Sequence, residues 1–340
     1  MEEVSIIGID LAKRSFQLHG AKADGSVAYR TKLSRARLLG FLAAHPKCKV
    51  AMEACAGAHY WGRQIVALGH EVRLVPPIYV KPFVKRQKND AADAEAITEA
   101  AQRPTMHFVA VKTEVQQAQG MLFRTRDLLV RQRTQTINAL RGHLAEYGVV
   151  APQGRARIRQ LAGVLEDGAC GLPEAVVELG WLLLGRIDEA DEKIERLDRK
   201  IRSSARELEE TVRLMTIPGI GPITALALQA YAPPMESFRR GRDFSAWLGL
   251  VPRQHTTGGK PRLGKISKMG QRDLRRLLIT GAMTVVRHAS RGGENTDPWL
   301  AGMLERKPKK VVAVALANRM ARRVWVLATR KETYRAHAAA

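Results

Sequence analysis

Lys88-Asn89-Asp90-Ala91-Ala92-Asp93-Ala94-Glu95-Ala96-Ile97 reads as the start of a helix. Asn89 or Asp90 can cap it, and small, strongly helix-forming residues follow. Asp90 and Asp93 are three apart, so their carboxylates share one helical face. Two acids that close repel each other unless solvent or a cation separates them. Most of the face is alanine, so nothing bulky stands between the carboxylates and whatever they point at. A solvated helix start, its acids favoured by the helix dipole, has the same composition. The residues upstream bear on the choice.

Residues 4–10, Val-Ser-Ile-Ile-Gly-Ile-Asp, read as a buried strand that ends on an acid, Asp10. Residues 15–21 and 27–33 alternate as strands do, with a turn at Ala23-Asp24-Gly25. Residues 34–44 have helical periodicity, and 49–52 form a short strand leading to Glu53. A helix over 60–68, a strand over 71–75 and the helix over 90–102 follow. Three strands, then alternating helices and strands, predict a mixed α/β sheet of about one domain's length.

Asp10 and Glu53 thus stand at the C-terminal ends of predicted strands, where open α/β sheets place their sites. The helix carrying Asp90 and Asp93 can cross that edge. Four carboxylates from three elements can hold two hard cations, Mg²⁺ or Mn²⁺. Two such ions activate one oxygen and stabilise the leaving one in phosphodiester cleavage. Singly, each acid also fits a cap or a turn.

The chain has 340 residues, enough for two or three domains. Its 56 Lys and Arg against 33 Asp and Glu leave a formal charge of +23, which calls for a polyanionic partner. Aromatic residues are only 5%, which argues against a base-stacking platform and for contact with the phosphate backbone. Cys48, Cys55 and Cys170 lack metal-ligand spacing and read as reduced thiols of a cytoplasmic protein. The N-terminus lacks a signal-peptide pattern, and no apolar run reaches the length of a membrane span.

Residues 115–147, 158–165 and 174–214 turn helical and basic. Ile187, Ala190, Ile194, Leu197, Ile201 and Leu208 form an apolar seam among charges. Two readings fit it equally: an arm that joins protomers, or a long helix packed inside its own chain. Further on, Thr216-Ile217-Pro218-Gly219-Ile220-Gly221-Pro222 sits between helical stretches, as the hairpin of a helix-hairpin-helix element does. Gly219 and Gly221 free the backbone there, and its exposed amides suit a DNA phosphate; a plain turn between helices is the alternative.

Residues 253–270 carry four glycines, five Lys or Arg, three hydroxyls and no acid. They read as a phosphate-binding loop, with Arg253, Lys260, Arg262, Lys265 and Lys268 as its cations. The loop is read as offering hydroxyls and cations but no base. Basic amphipathic helices over 271–288 and 309–329 close the chain. The expected division is a catalytic domain over 1–112, a helical region over 113–212 and a C-terminal domain over 213–335.

Gly8-Ile9-Asp10-Leu11-Ala12-Lys13, Met52-Glu53-Ala54-Cys55 and Asn89-Asp90-Ala91-Ala92-Asp93-Ala94 resemble the DEDD transposases of bacterial insertion sequences, in the 1111 group of the insertion sequence 110 family. Ile217-Pro218-Gly219-Ile220-Gly221, Leu248-Gly249-Leu250-Val251-Pro252, Gly258-Gly259 and Ile266-Ser267-Lys268-Met269-Gly270 look like that family's second domain. The resemblance covers nearly the whole chain. It implies a ribonuclease-H-like, RuvC-like domain, Mg²⁺ (or Mn²⁺) at Asp10, Glu53, Asp90 and Asp93, and a coiled-coil insert. It also implies recombination of donor and target DNA guided by a bridge RNA of the element, in a homo-oligomer, dimer or tetramer, acting at the nucleoid.

One departure matters. The resemblance implies a serine just before a glycine in this loop as nucleophile, and here Thr257 stands there, preceded by Thr256. A threonine hydroxyl can attack phosphorus once activated. Ser267 is the other hydroxyl, with a turn or cap role as its plain alternative. Neither region completes a transesterification site alone, so a composite of the DEDD acids and Thr257, made between protomers, is expected. A junction nuclease using metal-activated water and a non-enzymatic nucleic-acid binder are the competing readings.

Overall fold

The structure is a computed structural model. It describes residues 4–84, 90–152, 154, 157–167, 171–292 and 297–335, and for Asp90 the backbone only. The expectations placed on Lys88, Asn89, Cys170 and the Asp90 carboxylate therefore lie outside the described residues. The chain divides into two compact units, Met1–Gln117 and Ala118–Ala340.

The first unit runs β1 (Ile6–Leu11), β2 (Ser15–Ala21), β3 (Val27–Ser34), α1 (Leu38–Ala44), β4 (Lys49–Glu53), α2 (Ala58–Ala67), β5 (Glu71–Val75), α3 (Pro77–Val80) and α4 (Asp90–Gln102). The strands form one sheet in the order β3-β2-β1-β4-β5. β1 and β2, and β2 and β3, pair antiparallel, as short turns dictate; β4 joins β1, and β5 joins β4, in parallel. The turn expected at Ala23-Asp24-Gly25 is held by the Ser26 N–H, which donates to Asp24 Oδ1 at 2.9 Å. Gly25 supplies the positive φ, 87°.

Alternation along β1 and β4 sorts residues to two cores. Ile7, Ile9, Val50 and Met52 pack with Leu38, Leu42, Trp61 and Ile65 of α1 and α2. Ile6 and Ala51 pack on the other face with Ala96, Ile97, Ala100 and Ala101 of α4. The alanines of α4 are therefore its sheet-facing side. They are small because the helix lies directly on the strands.

The second unit is mainly helical: α5 (Glu114–Ala145), α6 (Ile158–Asp167), α7 (Glu174–Glu207), α8 (Glu209–Met215), α9 (Pro222–Tyr231), α10 (Gly241–Trp247), a two-stranded ribbon of β6 (Pro252–Gln254) and β7 (Leu263–Ile266), then α11 (Arg272–Ala289), α12 (Pro298–Arg306) and α13 (Lys309–Arg330). The stretch expected as one helix over 174–214 breaks at Leu208, whose φ of −99° and ψ of 118° are extended.

Arg126 pairs with Asp198, and Arg133 with Asp191, each seven residues on in opposite directions. One antiparallel register of α5 and α7 explains both pairs. Along it Ile187, Ala190, Ile194, Ile201 and Ala205 are buried. Ile137, Leu140, Leu144, Leu184 and Ile187 pack with Ile158, Leu161 and Leu165 of α6. The apolar seam is covered by its own chain, so the reading of it as an arm between protomers falls. Among the described residues no helix is long and apolar enough to cross a membrane.

Candidate active site

Asp10 is the fifth residue of β1 and Glu53 the last of β4. The parallel register pairs Ile9 with Met52, so the next rung, at the C-terminal edge, sets Asp10 beside Glu53. Both follow residues that face α1 and α2, so both project to the α4 side.

α4 reaches that edge because Gly8 of β1 has no side chain. A Cβ there would lie 2.5 Å from the Ala94 carbonyl oxygen and closer still to Thr98 Oγ1. Thr98 Oγ1 donates to Ala94 O at 2.9 Å, which satisfies a buried hydroxyl inside its own helix. Glu95, turned away, meets Arg30 at 3.0 Å. Asp93 is turned toward the sheet edge, where its charge reaches Glu53. Burial first, and the Asp93 carboxylate second, push the Glu53 carboxyl up. The Cys55 thiol is raised by burial, by Glu53 and, less, by Asp10. Asp10, Glu53 and Asp93 thus share one electrostatic neighbourhood.

A carboxyl pushed up by burial and a neighbouring carboxylate, as Glu53 is, belongs to the kind of oxygen donor set that a hard divalent cation relieves. In that chemical sense the residues fit such an ion. Among the described residues, however, no three His, Cys, Asp or Glu side chains are grouped closely enough to hold a metal as they stand.

The stretch 253–270 is not the open loop expected from its composition. It is a β-hairpin. Gln254 pairs with Leu263, and a bridge joins Thr257 to Lys260. Gly258 and Gly259 turn the chain with φ of 57° and 73°. Two successive residues at positive φ make the type I′ turn that fits strand twist, and a Gly-Gly pair adopts it without strain. Thr257 and Lys260 flank this turn at an exposed tip.

The hairpin's base is locked. Arg275, buried, donates to Leu248 O at 2.8 Å and Met269 O at 3.1 Å. Asn318 donates to Leu250 O at 3.1 Å. Arg253, expected on a phosphate, is turned onto Ser267 O at 3.2 Å. Ser267 Oγ accepts weakly from the Met269 N–H at 3.4 Å, the turn role foreseen as its plain alternative. Lys265 and Lys268 are exposed, Lys268 with φ 56°.

Gly219 does not offer free backbone. Its φ is 88°, and a Cβ on it would meet Gly281 O at 2.9 Å and Met320 Cε and Val285 Cγ2 at 3.0 Å. The hairpin of residues 216–222 is packed against α11 and α13, and α9 after it is a core helix. Gly221 alone of the two glycines is exposed.

A family model described as Transposase IS116/IS110/IS902 family matches residues 212–296. A DEDD transposase model of the IS110 type matches residues 7–149, which include all four acids. A probable family 20 transposase of Pseudomonas aeruginosa is 48% identical, over 98% of this chain and 99% of its own. The transposase for insertion sequence element IS1328 of Yersinia enterocolitica is 45% identical, over 97% of this chain and 98% of its own. The chain belongs to the IS110 transposase family. A third relative, the transposase for IS1111A of Coxiella burnetii, is 40% identical over 98% of this chain and 92% of its own. Membership makes the chain a transposase, an enzyme that cuts and rejoins DNA, and the DEDD type implies dependence on a divalent metal ion.

Sequence reasoning about this transposase missed His255. It stands two residues before Thr257, in a segment read as having no base. The signal was available: the Gly-Gly pair announces a hairpin, and period two in a strand puts His255 and Thr257 on one face.

Proposed function

We propose that this transposase is a site-specific recombinase in which Asp10, Glu53, Asp90 and Asp93 hold Mg²⁺ or Mn²⁺ and Thr257 attacks the scissile phosphate. The observation that carries the first half is the convergence of Asp10, Glu53 and Asp93 at one sheet edge, with charge from Asp93 felt at Glu53. The strand order β3-β2-β1-β4-β5, with α4 on the acid-bearing face, supports the ribonuclease-H-like, RuvC-like reading. A divalent ion bound there supplies charge stabilisation at the scissile phosphate.

Thr257 is the nucleophile because it occupies the tip of an exposed, base-locked hairpin beside Lys260. Thr256, its neighbour, points to the opposite face by strand alternation. The site is a composite, completed between protomers of a dimer or tetramer. That arrangement no longer draws on the seam of α7, and rests on each region lacking half of the chemistry. The charge of +23 suits two polyanions at once, DNA and a bridge RNA of the element. Gly221, Lys260, Arg262, Lys265 and Lys268 are the backbone and cationic contacts proposed for them, and Arg253 can join by leaving Ser267 O.

Complementation tests the composite. Asp10→Ala and Thr257→Ala proteins, each inactive alone, are mixed and assembled with nucleic acid. Partial recovery of cleavage is expected. Inactivity of a verified mixed assembly defeats the arrangement in trans. Undiminished cleavage by Thr257→Ala alone, without a covalent protein–DNA adduct, favours a junction nuclease that uses water.

A further inference from the structure

The geometry of the β6–β7 ribbon points to His255 as a further catalytic residue, the proton donor to the leaving strand oxygen. This rests on the reading of Thr257 as nucleophile and deepens it.

The pairing fixes which side chains share a face. Thr257 bridges to Lys260, and the His255 N–H donates to Arg262 O at 2.8 Å. Residues directly opposite in an antiparallel pair lie on the same side, as do residues two apart in one strand. One face of the tip therefore carries Thr257, His255, Lys260 and Arg262. The other carries Thr256, Gln254 and Leu263.

The His255 ring lies across the partner strand over Gly264, where a Cβ would already meet its Cδ2 and Nε2 at 3.4 Å. His255 is exposed, and so reachable by a DNA strand. Two residues along a strand span about 6.6 Å of backbone, and the ring leans toward Gly264, away from the tip, so a phosphate group fits between the Thr257 hydroxyl and the imidazole once the ring swings back toward the tip. Lys260 and Arg262 flank that space with charge suited to the non-bridging oxygens. Residues 252–270 contain no Asp or Glu, and His255 is their one imidazole, the side-chain type that most often donates and accepts protons in catalysis.

The step balances as follows. The Thr257 Oγ–phosphorus bond forms as the bond from phosphorus to the leaving strand oxygen breaks. The hydroxyl proton of Thr257 passes to solvent, and the protonated ring gives its proton to the departing oxygen. On rejoining, the neutral ring takes the proton of the attacking strand hydroxyl while the Oγ–phosphorus bond breaks and Thr257 Oγ regains a proton from solvent.

The test uses the full chain with DNA carrying the joined ends of its element and RNA transcribed from that element. The DNA bears either the natural bridging oxygen or a bridging sulfur at the scissile leaving position. His255→Ala is expected to slow covalent adduct formation by about 10²–10⁴-fold on the oxygen substrate. It is expected to match the unsubstituted protein on the sulfur substrate, because a thiolate departs without a proton. His255→Gln, which keeps a polar side chain, is expected to behave the same way. An unchanged rate on oxygen, or equal slowing on both substrates, overturns the role of His255 while adducts on Thr257 keep the nucleophile reading. An adduct formed by Thr257→Ala overturns that reading and this inference with it.

Discussion

Gly8 and Thr98 are in direct contact: any side chain on Gly8 would run into the Thr98 hydroxyl and the Ala94 carbonyl oxygen, the latter at 2.5 Å. That approach lowers α4 onto β1, and the first turn of the helix then brings Asp93 over the edge where Asp10 and Glu53 stand near the ends of their strands. Gly8, two residues before Asp10 on the same strand, therefore sets the height of the helix that carries Asp93.

Gly8→Ala follows from this contact. The methyl group must displace backbone, and overpacking of this kind costs about 1–3 kcal/mol. Urea denaturation of the full chain should show that loss. Strand exchange should fall further than the stability loss accounts for, because α4 carries two of the acids. Normal recombination by a stably folded Gly8→Ala protein would uncouple helix height from the site.

Among the acids, Glu53 gives a prediction of sign. Its folded-state pKa is raised, by burial and then by Asp93. Between the usual carboxylate pKa and that raised value the folded protein holds more protons than the unfolded chain. Stability of the metal-free protein should therefore fall as pH rises through that window. Glu53→Gln removes the penalty and should leave the metal-free protein as stable or more stable at neutral pH, while abolishing recombination. Melting curves in chelator, set beside activity in Mg²⁺, check both halves; a marked drop in stability would contradict the sign.

The turn at the ribbon tip separates local from global effects. A Cβ on Gly258 or Gly259 would meet nothing within 4 Å, and both residues hold positive φ. Replacing both with Ala should cost the tip about 1–2 kcal/mol per residue in backbone strain. Thermal melting of the whole chain should barely move, and adduct formation should collapse. Unchanged adduct formation would show that the tip's shape is irrelevant to attack.

Gly281 predicts the opposite pattern. A Cβ on it would run into the Gly219 carbonyl oxygen, where the 216–222 hairpin meets α11. Gly281→Ala should destabilise the second unit by roughly 1–3 kcal/mol. A loss of DNA binding with no loss of stability would instead support a phosphate contact at Gly219.

Salt dependence tests the cations. Replacing Lys260 and Arg262 with Ala should flatten the log–log slope of DNA binding against salt by about one unit for each lost phosphate contact. An unchanged slope would remove the ribbon from the interface.

Local patterns carried much of the fold. The strand over 15–21, the strand over 71–75 and the helix over 90–102 match β2, β5 and α4 end to end. Alternation, β-branched residues and a run of alanines after an acid act within a few residues and need no distant partner. Asp10 and Glu53 were legible for the same reason, as acids ending short apolar runs. Three things needed the tertiary structure. The seam from Ile187 onward declares an apolar face but not what covers it, and α5, α6 and α9 of the same chain do. Gly219 declares an unusual φ but not a neighbour, and Gly281 supplies it. The cations of 253–270 declare affinity for phosphate, but only strand pairing sorts Thr257, His255, Lys260 and Arg262 from Thr256 and Gln254. Periodicity along a chain encodes which side of an element is apolar or polar; which surface meets that side is set by long-range packing, where the neighbours come from distant sequence.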